Sequence, residues 1–325
     1  MLAALTLAAF LVALAAVRIL VSRFARLALD RPNERSLHER PIPRTGGIAV
    51  LLGCATAAAL GALQLWLPVL LAFGLAAVSF IDDVRGMPTA ARLLAHLCAA
   101  ALLAWYLLSP MAPLELALIV LAVAWLTNLY NFMDGSDGLA AGMSLVGFGA
   151  CGAAAILAGH AALASLCLGL AAASGAFLTH NFHPARIFLG DVGSIPLGFL
   201  AGAVGILGWR DDVWPLWFPV LVFGPFIGDA TLTLAKRLIR GERVWRAHRE
   251  HYYQRMVRMG LGHRHTACIA YVAMILCAGA ALLGRAGSPA VQAAAFFGGA
   301  ALLAGLALWI DVSWNRFVRR PEKPA

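Results

Sequence analysis

The sequence predicts an all-α polytopic membrane protein of about eleven transmembrane helices, with ten as the lower count. Three observations predict it. The 325 residues are 62% hydrophobic and only 13% charged. Apolar stretches near the ~20-residue spanning length recur along the whole chain. The cations are one-sided: once the stretches alternate across a membrane, all of the 25 Lys and Arg except Arg210 and Arg285 fall on one face. A bias that strong sets that face as cytoplasmic.

In order, the expected spans are 2–22, 46–65, 67–81, 92–108, 113–130, 139–158, 160–180, 195–209, 214–238, 266–284 and 289–311. No cation precedes the first, while Arg18, Arg23 and Arg26 follow it. That flank pattern is not a secretory signal and places the N-terminus outside the cytoplasm. The segment 67–81 is short, and tilt or local thinning would accommodate it. The segment 214–238 carries Pro215, Pro219, Gly224-Pro225 and Gly228-Asp229, which predicts a kinked or broken helix. Such a bend is either ordinary tolerance of proline in a membrane or the opening of a lipid-side groove. One integral-membrane domain covers 1–325, with a short inner tail at 312–325. The six cysteines all lie in apolar segments without C-x-x-C spacing, so no disulfide framework or zinc site is expected. The net charge of +9 suits inner-face cations against anionic lipid and needs no nucleic acid.

Outer turns are minimal, and the inner loops 23–45, 82–91, 131–138, 181–194 and 239–265 hold the polar chemistry. Five aspartates stand there. Asp82 and Asp83 close one span, Asp134 and Asp137 lie between two more, and Asp191 precedes another. A carboxylate at the edge of a hydrocarbon core is costly and marks function by default. Adjacent carboxylates such as Asp82 and Asp83 repel unless a cation is near. Mg²⁺ favours one or two carboxylates plus substrate phosphates.

The run Asn128-Leu129-Tyr130-Asn131-Phe132-Met133-Asp134-Gly135-Ser136-Asp137-Gly138 packs amides, carboxylates and glycines as a base- or sugar-binding loop would. In Phe188-Leu189-Gly190-Asp191-Val192-Gly193-Ser194, glycines flank the acid, and Ser194 can cap the next span. Backbone N–H groups at such a helix start suit phosphate. Between Arg243 and Met256, helical spacing would put His248, His251 and Arg255 on one face. That face clamps a pyrophosphate or rests on the inner leaflet. The Pro- and Arg-rich loop from Arg31 through Arg44 to Gly47 either walls the ligand site or is a plain juxtamembrane loop.

Four motifs occur in order: P-I-P-R-T-G-G, D-D-V-R-G, N-L-Y-N-F-M-D-G-S-D-G-L-A and I-F-L-G-D-V-G-S. On these, the chain resembles the polyprenyl-phosphate N-acetylhexosamine-1-phosphate transferases, from about Arg31 to Arg258. The resemblance implies that Asp82 and Asp83 serve the lipid phosphate and catalysis, and that Asp191, with Asp83, holds Mg²⁺ (Mn²⁺ as the alternative). It places Asn131, Asp134 and Asp137 near the nucleotide sugar, with Phe188 stacked on uracil and Asn128, Arg92 and Arg44 bordering the pocket. It gives His248, His251 and Arg255 to the basic motif of the last large inner loop. H-R-E-H-Y-Y-Q-R replaces the histidine triplet of the muramoyl-pentapeptide branch, which points to the branch that starts O-antigen, exopolysaccharide or related glycans.

The implied reaction joins a UDP-N-acetylhexosamine to undecaprenyl phosphate at the inner face of a bacterial plasma membrane and releases UMP. A homodimer is a further implication. The competing readings are the peptidoglycan enzyme, an intramembrane aspartyl protease, a CDP-alcohol phosphotransferase and a transporter. A transporter wants an ionisable group near the midplane, and only Asp229 stands at that depth.

Overall fold

The computed structural model describes residues 1–24, 28–30, 37, 41–244, 246 and 248–319. The Pro- and Arg-rich run at 31–36 and 38–40 lies outside the described residues, as do Trp245, Ala247 and the last six positions. Helices follow one another as α1 (Leu2–Arg23), α2 (Gly46–Gly61), α3 (Trp66–Arg85), α4 (Thr89–Leu108), α5 (Pro113–Phe132), α6 (Leu139–Leu157), α7 (Ala161–Asn181) and α8 (Asp191–Arg210). They continue as α9 (Trp217–Val222), α10 (Gly224–Ile239), α11 (Tyr252–Met256), α12 (Gly262–Gly284) and α13 (Pro289–Val318). A two-residue ladder joins β1 (Leu29–Asp30) to β2 (Ile42–Pro43), antiparallel, with Leu29 opposite Pro43.

Among the described residues, 9 helical stretches are long and apolar enough to cross a membrane. The two other expected spans differ for physical reasons. α2 has 16 residues and ends at Gly61, and the chain then makes a 3₁₀ turn that joins the next span. The short segment 67–81 gains by this, running Leu63–Arg85 with both aspartates in its last helical turns. The expected break in 214–238 is present: Phe223 separates α9 from α10, and Pro225 sits in the first turn of α10. At its far end α13 runs to Val318, past the expected boundary at 311.

α8 is the axis of the bundle, almost wholly buried, with α3 and α5 packed along it. Apolar side chains gain little by leaving lipid for protein, so helices here associate through close backbone approach at small residues. α2 meets α8 in that way: a β-carbon on Gly47 would lie 2.3 Å from the Gly193 Cα. α13 is the opposite case, with only 11% of its apolar window buried inside the protein.

Candidate active site

Backbone bonds gather the start of α2 and the loop before α8. Gly46 N–H donates to the Phe188 carbonyl at 2.9 Å and Gly47 N–H to that of Leu189 at 2.8 Å. Phe188 N–H donates in return to the Pro43 carbonyl at 2.7 Å. The loop before α8 is thereby stitched to the start of α2. Gly190 makes the fit possible. Its φ is +70°, and a β-carbon there would stand 2.3 Å from the Arg44 carbonyl oxygen. Only glycine meets both demands.

This turn delivers Asp191 to the first turn of α8, where the helix dipole favours a negative charge. Asn131, from the last turn of α5, holds it. The Asn131 Oδ1 accepts from the Ser194 hydroxyl at 2.9 Å, and its amide side also bonds the Asp191 carboxylate. Asp134 follows on the same loop and accepts the Gly190 N–H. Burial pushes the Asp134 carboxyl well above the usual carboxylate range, Asp191 adds to the effect, and the Gly190 N–H opposes it. Two carboxylates therefore share a confined space and disfavour each other's charge.

Both open onto a cavity of about 300 Å³. Asn131, Asp134 and Asp191 line one side; Arg44 and His248 face in from others, and Phe132, Phe188 and Tyr253 supply aromatic surface. Among the described residues no three of His, Cys, Asp and Glu stand close enough to form a metal site by themselves. The donor set still fits Mg²⁺, which takes one or two carboxylates and completes its shell with water and substrate phosphate.

Asp83 stands beside the cavity, 3.2 Å from the Arg44 guanidinium and within electrostatic reach of Asp191. The aspartates that line the cavity are thus Asp191, Asp134 and Asp30, where the sequence pointed to Asp191 with Asp83 as the metal ligands. Asp82 lies outside the lining, though it and Arg92 are within electrostatic reach of Asp191. Asp82 accepts the Met87 N–H at 2.6 Å and pairs with Arg92 at 3.0 Å, fastening the turn between α3 and α4. Asn128 also lies outside the lining, its amide donating to the Ala124 carbonyl at 2.7 Å. Asp137 is only 6% exposed and accepts from His183 Nδ1 at 2.7 Å and the Ala185 N–H at 3.1 Å.

The basic loop departs furthest from expectation. Its described residues 241–251 are irregular and α11 begins only at Tyr252, so His248, His251 and Arg255 share no helical face. His248 alone lines the cavity, its pKa pushed down to about 4 by burial and then by His251 and Arg237. His251 caps α11 and contacts Asp229 at 3.2 Å. Arg255 turns away to Asp311 of α13 at 2.9 Å and packs over the Tyr252 and Trp314 rings. Asp229 also accepts the N–H groups of Tyr252 at 2.9 Å and Tyr253 at 3.0 Å. Capping a short helix occupies it fully, which removes the one acid a transporter reading had.

Sequence reasoning missed Tyr253 and Phe132 as cavity residues. The Tyr253 hydroxyl donates to the Phe132 carbonyl at 3.0 Å, and a β-carbon on Gly135 would lie 2.2 Å from the Tyr253 hydroxyl oxygen. Phe132, an aromatic inside the glycine-rich loop, was the available signal, while Tyr253 reads equally well as an interfacial anchor.

Comparison with known proteins now bears on this geometry. The model of glycosyl transferase family 4 matches residues 65–209. The decaprenyl-phosphate N-acetylglucosaminephosphotransferase of Mycobacterium tuberculosis is 30% identical, over 79% of this chain and 75% of its own length. The chain belongs to glycosyl transferase family 4. Within that family it is also similar to the probable undecaprenyl-phosphate N-acetylglucosaminyl 1-phosphate transferase of Bacillus subtilis, 27% identical over 81% of this chain and 80% of that protein. A phospho-N-acetylmuramoyl-pentapeptide-transferase of Moorella thermoacetica matches at 35%, but over 46% of this chain and 44% of that protein.

Proposed function

We propose that this family 4 protein transfers an N-acetylhexosamine 1-phosphate, with N-acetylglucosamine as the first candidate, from its UDP donor to undecaprenyl phosphate. The products are undecaprenyl-diphosphate-sugar and UMP, and the step starts an O-antigen, exopolysaccharide or related surface glycan. The observation that carries this reading is the pair of half-buried carboxylates, Asp134 and Asp191, on a polar cavity whose wall at Phe132 packs against the Trp125 wall of an apolar one. The apolar cavity has about 400 Å³ between α5, α8, α9 and α10, lined among others by Trp125, Pro219 and Ile227. The helix break at Phe223 forms part of its frame. Trp125 packs edge-on against Phe132 (centroids 6.5 Å apart), and Phe132 lines the polar cavity. A prenyl chain and a phosphate joined to it match that adjacency.

Asp191 and Asp134 would hold Mg²⁺, which when bound neutralises pyrophosphate charge. A phosphate oxygen of the lipid attacks the sugar-bearing phosphorus; the new P–O bond forms as the bond to the UMP phosphate breaks. The barrier is mostly anionic repulsion, so positioning and charge neutralisation matter most. Arg44 is placed for this, lining the cavity with its Nε buried and unpartnered in the free protein. Of the adjacent acids, Asp83 is the one turned toward Arg44 and the cavity, so we assign the lipid-phosphate role to Asp83 and an anchoring role to Asp82. A base is scarcely needed, since a phosphate monoester with its second pKa near ~6 is mostly dianionic at neutral pH. His248, neutral in the free protein, acts as a hydrogen-bond partner.

The test is UMP release by the purified protein from a panel of UDP-sugars, with undecaprenyl phosphate, with and without Mg²⁺. Metal-dependent release that Asp191→Asn abolishes supports the reading. No release with any donor by protein that still binds one would sink it. UMP-driven exchange into the donor without lipid would favour a covalent aspartyl intermediate over direct attack.

A further inference from the structure

His263 opens α12 and lies outside the four motifs. Gly260 (φ 98°) and Gly262 (φ 68°) turn the chain from a single π-helical turn and set this residue against the inner loops. Its Nε2 is 3.1 Å from the Leu37 carbonyl oxygen. A carbonyl only accepts, so Nε2 carries the proton. The Asp137 N–H points at Nδ1 from 3.4 Å and needs a lone pair there, so Nδ1 accepts it and the Ser136 hydroxyl at 2.9 Å, with the Asp137 carboxylate 3.9 Å away. One neutral tautomer satisfies all three contacts. The ring stacks on His183 with centroids 5.6 Å apart and planes 11° from parallel. His183 in turn donates to the Asp137 carboxylate, which also takes the Ala185 N–H.

Three loops therefore meet at one side chain, and each runs on into the wall of the polar cavity. Leu37 lines it directly, 136–137 continue from Asp134 and Gly135, and 183–185 lead to Phe188 and Asp191. His263 and His183 are not themselves in the lining. We propose that His263, backed by His183, is a positioning residue for the donor site. It clips the Asp134 loop to the loop that ends at Asp191 and fixes Leu37 at the rim. The inference rests on the donor-binding reading above. A clip of this kind organises binding more than the chemical step.

The test uses the full chain in lipid nanodiscs with UDP-N-acetylglucosamine and undecaprenyl phosphate. His263→Ala should raise the donor KM about tenfold while kcat changes less than about threefold, the size expected for losing one or two organising hydrogen bonds. His263→Asn, whose Oδ1 can accept where Nδ1 does, should restore most of the donor KM. Hydrogen–deuterium exchange without any substrate should quicken at 136–139 in His263→Ala and stay unchanged in α8. Should that variant fail to assemble, Ser136→Ala removes a single hydroxyl and should still raise the donor KM by about threefold. An unchanged donor KM, or unchanged exchange at 136–139, overturns the clip. If wild-type protein turns over no donor, the transferase reading fails by itself, and the exchange comparison still decides about the clip.

Discussion

The two walls of the polar cavity hold their charges in different ways. On the acid wall, Asp191 and Asn131 sit in helix end-turns and Asp134 just past one, steadied by the Gly190 N–H and the Ser194 hydroxyl. Those contacts are uncharged, and the cations that act on Asp191, Arg92 and Arg44, reach it through space rather than by a direct ion pair. Behind the opposite wall, from α10 through α11 to α13, the charges pair among themselves. Arg237 and Arg240 are met by Glu242 and Glu250, and Lys236 and Arg255 by Asp311. A count of cations near a site says little until their partners are known.

The comparison breaks most visibly at Asp191. Asp191→Asn should lower turnover by about a thousandfold or more, as when a principal electrostatic element is removed. Steady-state UMP release checks it, and a loss under tenfold would mean that the acid wall is not the reaction centre.

Arg255 tests the other wall. If it belongs to α13, Arg255→Ala and Asp311→Ala should each destabilise by about 2–4 kcal/mol, with the double variant much less than additive. Residual activity below the melting temperature should stay within about tenfold of wild type. A hundredfold loss of turnover at unchanged Tm would return Arg255 to the substrate.

Asp134 predicts a pH effect with a definite sign. Its carboxyl titrates above the usual range in the free protein, so a cation bound there would compete with a proton. Apparent Mg²⁺ affinity should therefore rise with pH through that raised value, and Asp134→Asn should flatten the profile. A raised carboxyl also costs the fold stability once pH exceeds the unfolded value near ~3.9. Without Mg²⁺ the same variant should melt higher than wild type at pH 7, a difference that calorimetry would show.

The smallest effect is at His248. Its pKa falls to about 4 when folded, against ~6.5 unfolded. Its contribution to stability is therefore whole above ~6.5 and is lost as pH falls from there toward 4. His248→Gln should lose less Tm than wild type over that interval, and equal slopes would contradict the depressed value.

The acid wall was legible because its chemistry is dense and local. Glycine beside Asp191, and amides beside Asp134, are costly choices at a membrane edge, and they named the loops before any fold was known. The break ahead of α10 was legible because Pro225 cannot donate to a helix ladder. The basic loop was not. Its reading assumed helical spacing from 248 to 255, yet the capping of α11 by Asp229, nineteen positions before His248, decides that the helix starts at Tyr252. The pairing of Arg255 with Asp311 was equally hidden, since it depends on where α13 docks. Asp82 and Asp83 look identical in sequence; only the turn at Gly86 and the position of Arg44 separate them.

The seam between α2 and the loop before α8 also has a consequence for biogenesis. The N–H groups of Gly46 and Gly47 find their acceptors on Phe188 and Leu189, made long after them. At ~5–20 residues per second, the interval is on the order of ten seconds. During it, several spans must already have left the translocation machinery. The cavity is therefore a late product of membrane insertion, and the start of α2 reaches its final contacts only when α8 arrives.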